Sequence, residues 1–512
     1  MSRINSNVNS QISQRILNKN NMNVSKSLER LSTGFKINRG ADGPAALISS
    51  EKLRSEKTQI SAAIGNAERA DQIANIAEGG LQEISTLLIE VQGLVGESAN
   101  EAGLSTEEKE ANQVQIDQIL QTIDRIASTT SFNGSKLLNG NYEFQVSGGS
   151  NFGNLEEYNI DGAKIPRGKT VNVDATVTTS AQHAGLFLSL GAGANINLGG
   201  ATATDGATSS LVIEIAGSKG AREFTFASGT SKAAIADSIN SFTSVTGVSA
   251  VASGTYLELK SSDYGSSEFV SVDIKDTGGI IGGGIYAMSS NNTAAAKTGS
   301  IIRTFAAAET AAAERDEGLD IAGIINGVAA AGKGRTLSIN SDALAVTMTL
   351  TAGQAQKTGA VDAFTITGGG ANFNLGPGIN VGNKVGIGIG NVVSRNLGSE
   401  GNGFLDDLGS GKTNNVVDGN LEDAQKIVDD AINDITGLRG RIGAFQRNVI
   451  GSTINSLGIA LENTTAAESA IRDTDFAQET ADLTRNQILV QAATNSLAIS
   501  NAQPNNVLSL IR

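Results

Sequence analysis

Ile435, Leu438, Ile442, Phe445 and Val449 follow one another at spacings of three, four, three and four. Such a row lies along one side of an α-helix and needs a second helix to cover it. The other end of the chain carries similar rows. Ile4, Val8, Ile12 and Ile16 recur every fourth residue, Leu28, Leu31 and Phe35 continue them, and Ile84, Leu87, Val91 and Leu94 repeat the pattern. Ser105 and Glu108 form a capping box ahead of a third helix with Ile116, Ile119, Ile123 and Ile126. Asn420 and Asp423 can cap the helix that holds the C-terminal row.

Between about 141 and 415 the text changes to Gly, Ala, Ser and Thr with short alternating runs such as "SLVIEIAG", "REFTFAS", "TYLELKS", "FVSVDIK" and "ALAVTMTLT". Turns recur every eight to twelve residues, as in a β-rich region. The pattern predicts an α+β fold, in which N- and C-terminal helices pack together as a coiled-coil core and the β-rich middle is an excursion from it. The chain has no Trp and few aromatic residues, so its core is built from Ile, Leu, Val and Ala, which suits long helices and thin β-layers.

The last residues, "QPNNVLSLIR", place Val507, Leu508, Leu510 and Ile511 close together. Burying four such side chains is worth roughly 6–12 kcal/mol. Ordering some eighty terminal residues costs on the order of 80–160 kcal/mol in backbone entropy, which two thin helices do not recover from each other. The ends are therefore expected to order on meeting a partner with matching stripes, which is another copy of the chain. Open-ended contact between unlike surfaces of one subunit produces a helical filament.

Other classes of function find little support. The net charge of −14 and the absence of Cys argue against a nucleic-acid binder and against thiolate metal sites. Residues 1–60 are basic, with ten Lys/Arg against four Asp/Glu, and read as a solvated helix face. No run of eighteen apolar residues and no continuous apolar signal core occur, so no membrane span is expected, and the chain stays in the cytoplasm or leaves by a route that cleaves no signal. "GVAAAGKG" opens like a phosphate loop, but Gly334 stands where a Mg²⁺-binding hydroxyl is needed. "GIGIGN" alternates as a strand whose glycines serve close packing. A single histidine, His183, cannot build a two-histidine zinc site. Neither a catalytic site nor a cofactor or metal site is expected.

"SLERLSTGFKINRGADGPAALISSEKLRSE" near the start and "RNQILVQAATNSLAISNAQPNNVLSLIR" at the end resemble bacterial flagellin, as does "TSFNGSKLL". Within the middle, "REFTFASGTSKAAIADSINSFTSVTGVSA" resembles the hook IN motif, here over about 210–275. The resemblance implies inner-tube helices at 1–42 and 473–512, a helical core domain from 43–175 and 411–472, and a variable outer region at 176–410. Ile4, Val8, Ile12, Leu28, Leu31, Leu497, Val507, Leu508 and Leu510 are then expected to pack the inner tube. Ile84, Leu87, Val91, Leu94, Leu438, Ile442, Phe445 and Val449 are expected to hold the helical core.

The same resemblance implies a homopolymeric filament for swimming, export through the flagellar type III apparatus, a chaperone on the C-terminal helices, and a filament cap with hook-associated proteins. A hook–filament junction protein, which shares such ends, is the alternative. Flagellins that the vertebrate innate receptor recognises carry a run resembling Arg-x-Arg-Glu-Leu, with a Glu on the next helix. This chain reads Glu90, Val91, Gln92, Gly93, Leu94, with Gln115 at the second position, so weak or no receptor activation is expected.

Overall fold

In the computed structural model, residues 6–511 are described except 101–102, 167, 192–195, 197, 199–209, 255, 281–282, 289–296, 309–311 and 342. The side chains of 297–300, 306 and 504–511 are also left undescribed. The chain forms two compact units.

The first unit is helical, from residues 1–71, 374–383 and 446–512. Helix α1 (Val8–Thr33) pairs with the C-terminal helix Phe476–Ile511. The pair is antiparallel, since Asn7 meets Ser500, Asn20 meets Leu489 and Arg30 meets Glu479. The ends thus form helices within one chain rather than only against neighbours. Gly34 closes α1 with φ +74° and donates its N–H to Arg30 O at 2.8 Å, a left-handed cap that glycine adopts without strain. Thr474 N then donates to Gly34 O at 2.9 Å, Lys36 N donates to Arg472 O at 2.7 Å, and the Arg472 guanidinium lies 4.5 Å from the Phe35 ring centroid. Asp42 accepts from the backbone N–H groups of Asn38 and Arg39 and pairs with Lys26 at 2.8 Å. The Lys26 ammonium, helped by those N–H groups, holds the Asp42 carboxyl below the usual carboxylate range.

The second unit comprises residues 72–373 and 384–445. Here α2 (Pro44–Ser98), which begins in the first unit, buries Leu81, Ile84, Leu88, Val91 and Val95. Helix α3 (Thr106–Thr129) adds Ile116, Ile119, Leu120 and Ile123, while Leu421–Ala444 adds Ile427, Val428, Ile435, Leu438 and Ile442. The Ser105/Glu108 capping box is made in both directions, and Asn420 caps Glu422 and Asp423. The turn Asn133-Gly134, with both φ positive, joins a short hairpin whose flanks reach α2 at Gly80. A methyl there would stand 2.8 Å from Leu138 Cδ1 and 2.9 Å from Thr130 Oγ1. Only a glycine lets the helix lie that close.

Two β-modules follow. The first is an eight-stranded antiparallel sheet in the order 144–148, 359–369, 171–179, 322–325, 328–333, 336–340, 344–350, 155–163. Its core includes Val173, Val177, Val346, Met348, Phe364 and Ile366. The second module is inserted into the first. It has a five-stranded sheet, 297–304, 284–288, 185–189, 256–261, 248–253, and a four-stranded sheet, 314–317, 269–276, 210–217, 220–227. Helix α4 (Lys232–Asn240) is tied to this module, because Asn240 exchanges two hydrogen bonds with Ala250. Both sheets share one core of Leu186, Leu188, Ile213, Ile215, Leu257, Val272 and their neighbours.

The insertion leaves and returns through paired strands. Thr179 lies opposite Ala322, and Gln182 and Leu319 exchange N–H···O bonds of 2.9 and 3.0 Å. Tyr264 of the insertion packs against the first module, where Gln356 Nε2 donates to its hydroxyl at 2.7 Å. His183 stacks on the same ring at 3.7 Å between centroids, and burial pushes its imidazole down.

The boundary expected between 175 and 176 meets a continuous strand. That point lies inside strand Val171–Thr179, and the eight-stranded sheet draws on 144–179 as well as on 322–369. Strand alternation fixes which residues face a core but not which distant strand pairs with which.

Candidate assembly interface

The α1 pair departs from the usual amphipathic order by burying polar residues. Toward its partner helix α1 turns Ser13, Asn20 and Ser27, one every seventh residue, each less than a tenth exposed. Ser13 and Asn20, with Asn7 and Ser10, make a hydrogen-bonded seam. Asn20 Nδ2 donates to Leu489 O at 3.3 Å, Asn7 Nδ2 to Ser500 O at 2.7 Å, and Ser10 Oγ to Asn501 Oδ1 at 2.6 Å, while the Ser13 and Ser500 hydroxyls lie 3.4 Å apart. Arg30 and Glu479 end the seam at 3.4 Å.

Leu17, Val24, Leu483 and Val490 are half-buried, but other apolar residues of the two helices stand in water. Val8 is 56% exposed, Ile12 41%, Ile16 46% and Leu28 50%, while on the partner helix Ile488 is 63% and Ile499 66% exposed. A hydrogen bond contributes about 0.5–1.5 kcal/mol net, against roughly 1.5–3 kcal/mol for burying one such side chain. Much apolar surface of this pair is therefore left for something outside it. Leu31 and Leu497 are half-buried. Ile4 and the side chains of Val507, Leu508 and Leu510 lie outside the described residues.

Of the residues expected in the helical core, Ile84, Val91, Leu94, Leu438, Ile442 and Phe445 are buried. Leu87 and Val449 are only half-buried, and Leu88 and Ile450 take the inner positions. At 449 the reason is a π-helical stretch, Phe445–Gly451. Its wider turn advances the inward face by five residues, from Phe445 to Ile450, instead of four. At 87 the helix keeps the row 81, 84, 88, 91, 95, and Leu87 falls beside it.

On the opposite face of the helices, Glu90, Gly93 and Gln115 are exposed, and half-buried Gln92 donates to Asp429 Oδ1 at 2.7 Å. Of the strings that mimic nucleotide loops, "GVAAAGKG" is mostly strand, whereas "GIGIGN" is strand only at 386–387 and irregular over 388–391. Asn326 and Gly327 form a positive-φ hairpin turn into strand Val328–Lys333, and Gly332 packs against the Ile321 carbonyl. Gly386 and Gly388 lie against the Phe144 ring. A cleft of about 550 Å³ lies between Leu421–Ala444 and strand Leu155–Ala163 and is lined by Glu156, Glu157 and Asp434. Burial, opposed by a hydrogen bond from Gly398 N, pushes Asp434 up to about 6. Among the described residues no His, Asp and Glu cluster could hold a metal, and no helix is long and apolar enough to cross a membrane.

Terminal helices paired within the chain, with outward apolar stripes, and β-modules placed between them in sequence are the make-up of a structural subunit. Residues 4–143 match the bacterial flagellin N-terminal helical region, 425–511 the C-terminal helical region, and 210–263 the flagellin hook IN motif, together more than half of the chain. Flagellin B of Helicobacter pylori is 27% identical over 100% of this chain and 99% of its own length, and the flagellin of Salmonella muenchen is 27% identical over 99% of each. Flagellin B of Vibrio cholerae is 37% identical over 29% of this chain and 40% of its own. The chain belongs to the bacterial flagellin family. It is a structural, non-enzymatic subunit of the extracellular flagellar filament used for swimming.

Proposed function

We propose that the filament is held by the outward stripes of the terminal helices. Ile4, Val8, Ile12, Leu28, Leu31, Leu497, Val507, Leu508 and Leu510 pack copy against copy in the inner tube. Ile84, Leu87, Val91, Leu94, Leu438, Ile442, Phe445 and Val449 keep each subunit's helical layer rigid enough to carry torque. The observation that supports this reading is the polar seam: α1 spends its serines and asparagine on its own chain and leaves Val8, Ile12, Ile16 and Leu28 in water. Residues 1–42 and 473–512 form the inner-tube part, and 43–175 with 411–472 the core domain, whose last N-terminal strand runs on to Thr179.

Before assembly the chain passes unfolded through the type III export apparatus. A cytoplasmic chaperone covers the C-terminal helix, whose exposed isoleucines would otherwise aggregate, and the filament cap and hook-associated proteins receive it outside. The vertebrate receptor for flagellin is poorly engaged, because Glu90, Gln92, Gly93 and Gln115 offer neither guanidinium forks nor the acidic partner.

Removing residues 503–512 tests the assembly reading. The truncated chain should keep its circular dichroism melting profile yet fail to elongate seeds in electron micrographs. Normal filaments grown from it would overturn the assignment of the tail.

A further inference from the structure

The side chain that stands furthest into water among the described large hydrophobics is not on a terminal helix. Ile379, 90% exposed, sits in the loop between the paired strands Ala371–Asn374 and Lys384–Ile387. The loop reads "LGPGINVGN" and carries no charge, although loop tips in water are commonly polar. It is also locked. Leu375, 3% exposed, anchors its base and donates its N–H to Asn383 O at 2.9 Å. Asn374 Nδ2 donates to Gly378 O at 3.1 Å and Asn383 Nδ2 to Pro377 O at 2.7 Å, while Asn380 Oδ1 accepts from Asn383 N at 2.8 Å. Gly378, at φ +84°, makes the turn that sets Ile379 outward. Asn66 Nδ2 donates to Asn374 O at 3.3 Å and ties the loop to α2.

A rigid, uncharged tip that presents Ile379 with Val381 (42% exposed) has already lost the conformational freedom that binding would otherwise cost. Charge depletion at a projecting apolar group is the composition of an interface centre. The loop belongs to the same compact unit as α1 and the C-terminal helix, whose stripes also lack cover within the chain. We infer that the 375–383 loop is a further subunit contact, and that its occupant is a second copy of this chain in the filament. The inference rests on the filament reading above.

The chain has no cysteine, so Ile379→Cys carries a single environment-sensitive fluorophore. Its emission should shift to the blue as labelled subunits join seeds, while a label on Val328→Cys, on a strand of the eight-stranded sheet, should not shift. Ile379→Asp should raise the critical concentration for elongation about tenfold or more and leave monomer melting unchanged. A label at 379 that stays in water in grown filaments, or a native critical concentration for Ile379→Asp, would overturn the inference. Failure of the unsubstituted chain to elongate at all would instead count against the filament reading.

Discussion

The nesting of the two β-modules dictates where the chain can be shortened. Deleting 183–318 and joining Gln182 to Leu319 with Asn-Gly should leave a folded, assembling subunit, because those residues already exchange both backbone hydrogen bonds of an antiparallel pair. What the remainder loses is the packing of Tyr264 and its bond from Gln356, with the bonds from Ser266 to Asp320. Half-burial of one tyrosine at about 1–2 kcal/mol and two or three hydrogen bonds at about 1 kcal/mol each put the loss near 3–5 kcal/mol. Cutting instead from 180 to 405, where the Gly-rich text changes, removes every strand that pairs with 144–148, 155–163 and 171–179. Phe144, Leu155, Ile160, Val173 and Val177 then lose their cover, roughly 8–15 kcal/mol, as large as the whole stability of a typical domain. Thermal melting by circular dichroism and seeded growth by electron microscopy compare the two deletions. Equal melting of both, or failure of the 183–318 deletion to fold, would refute the pairing argument.

Asp434 makes stability depend on pH. Its folded pKa of about 6 lies above the ordinary 3.8, so the folded state resists ionising it, and stability should fall as pH rises from about 4 to 6 and stay lower above that. Asp434→Asn should flatten this part of the melting-versus-pH curve and raise the melting midpoint at pH 7; an unchanged slope refutes it. Gly80→Ala, despite its gain in helix propensity, should destabilise by about 1–3 kcal/mol through collision with Leu138 and Thr130, read as a lowered urea midpoint. In reporter cells the monomer should be roughly a thousandfold less potent than a stimulatory flagellin, as two hot-spot contacts at about 2 kcal/mol each require, and Arg at 90 and 92 with Glu at 93 should restore part of that; equal potency of the unsubstituted chain refutes the reading.

The helices were legible because their signals are local. The Ser105/Glu108 box and the row from Ile435 to Phe445 need only residues three and four apart, and the row failed where the π-turn broke that period. The strands "SLVIEIAG", "REFTFAS" and "ALAVTMTLT" were legible for the same reason. Their partners were not, since Leu155 lies opposite Leu350 with no local mark of that pairing. The seam of Ser13, Asn20 and Ser27 escaped because a search for apolar periodicity passes over polar residues that face a helix. Reading every seventh small polar residue would have found it.

That seam also bears on how fast the helix pair can come apart. Opening one heptad of α1 breaks a bond or two such as Asn20 to Leu489 and frees side chains that are only half-buried, such as Leu17 and Val24, while Ile12, Ile16 and Leu28 already stand in water. The amides of α1 and of Phe476–Ile511 should therefore exchange with deuterium far sooner in the monomer than those beneath Leu81 and Ile84, and stop doing so once neighbours lie over them. On the assembly proposed above, a subunit built this way would reach the growing tip with its two ends readily separable, and its closing would become permanent only when the next subunit arrives.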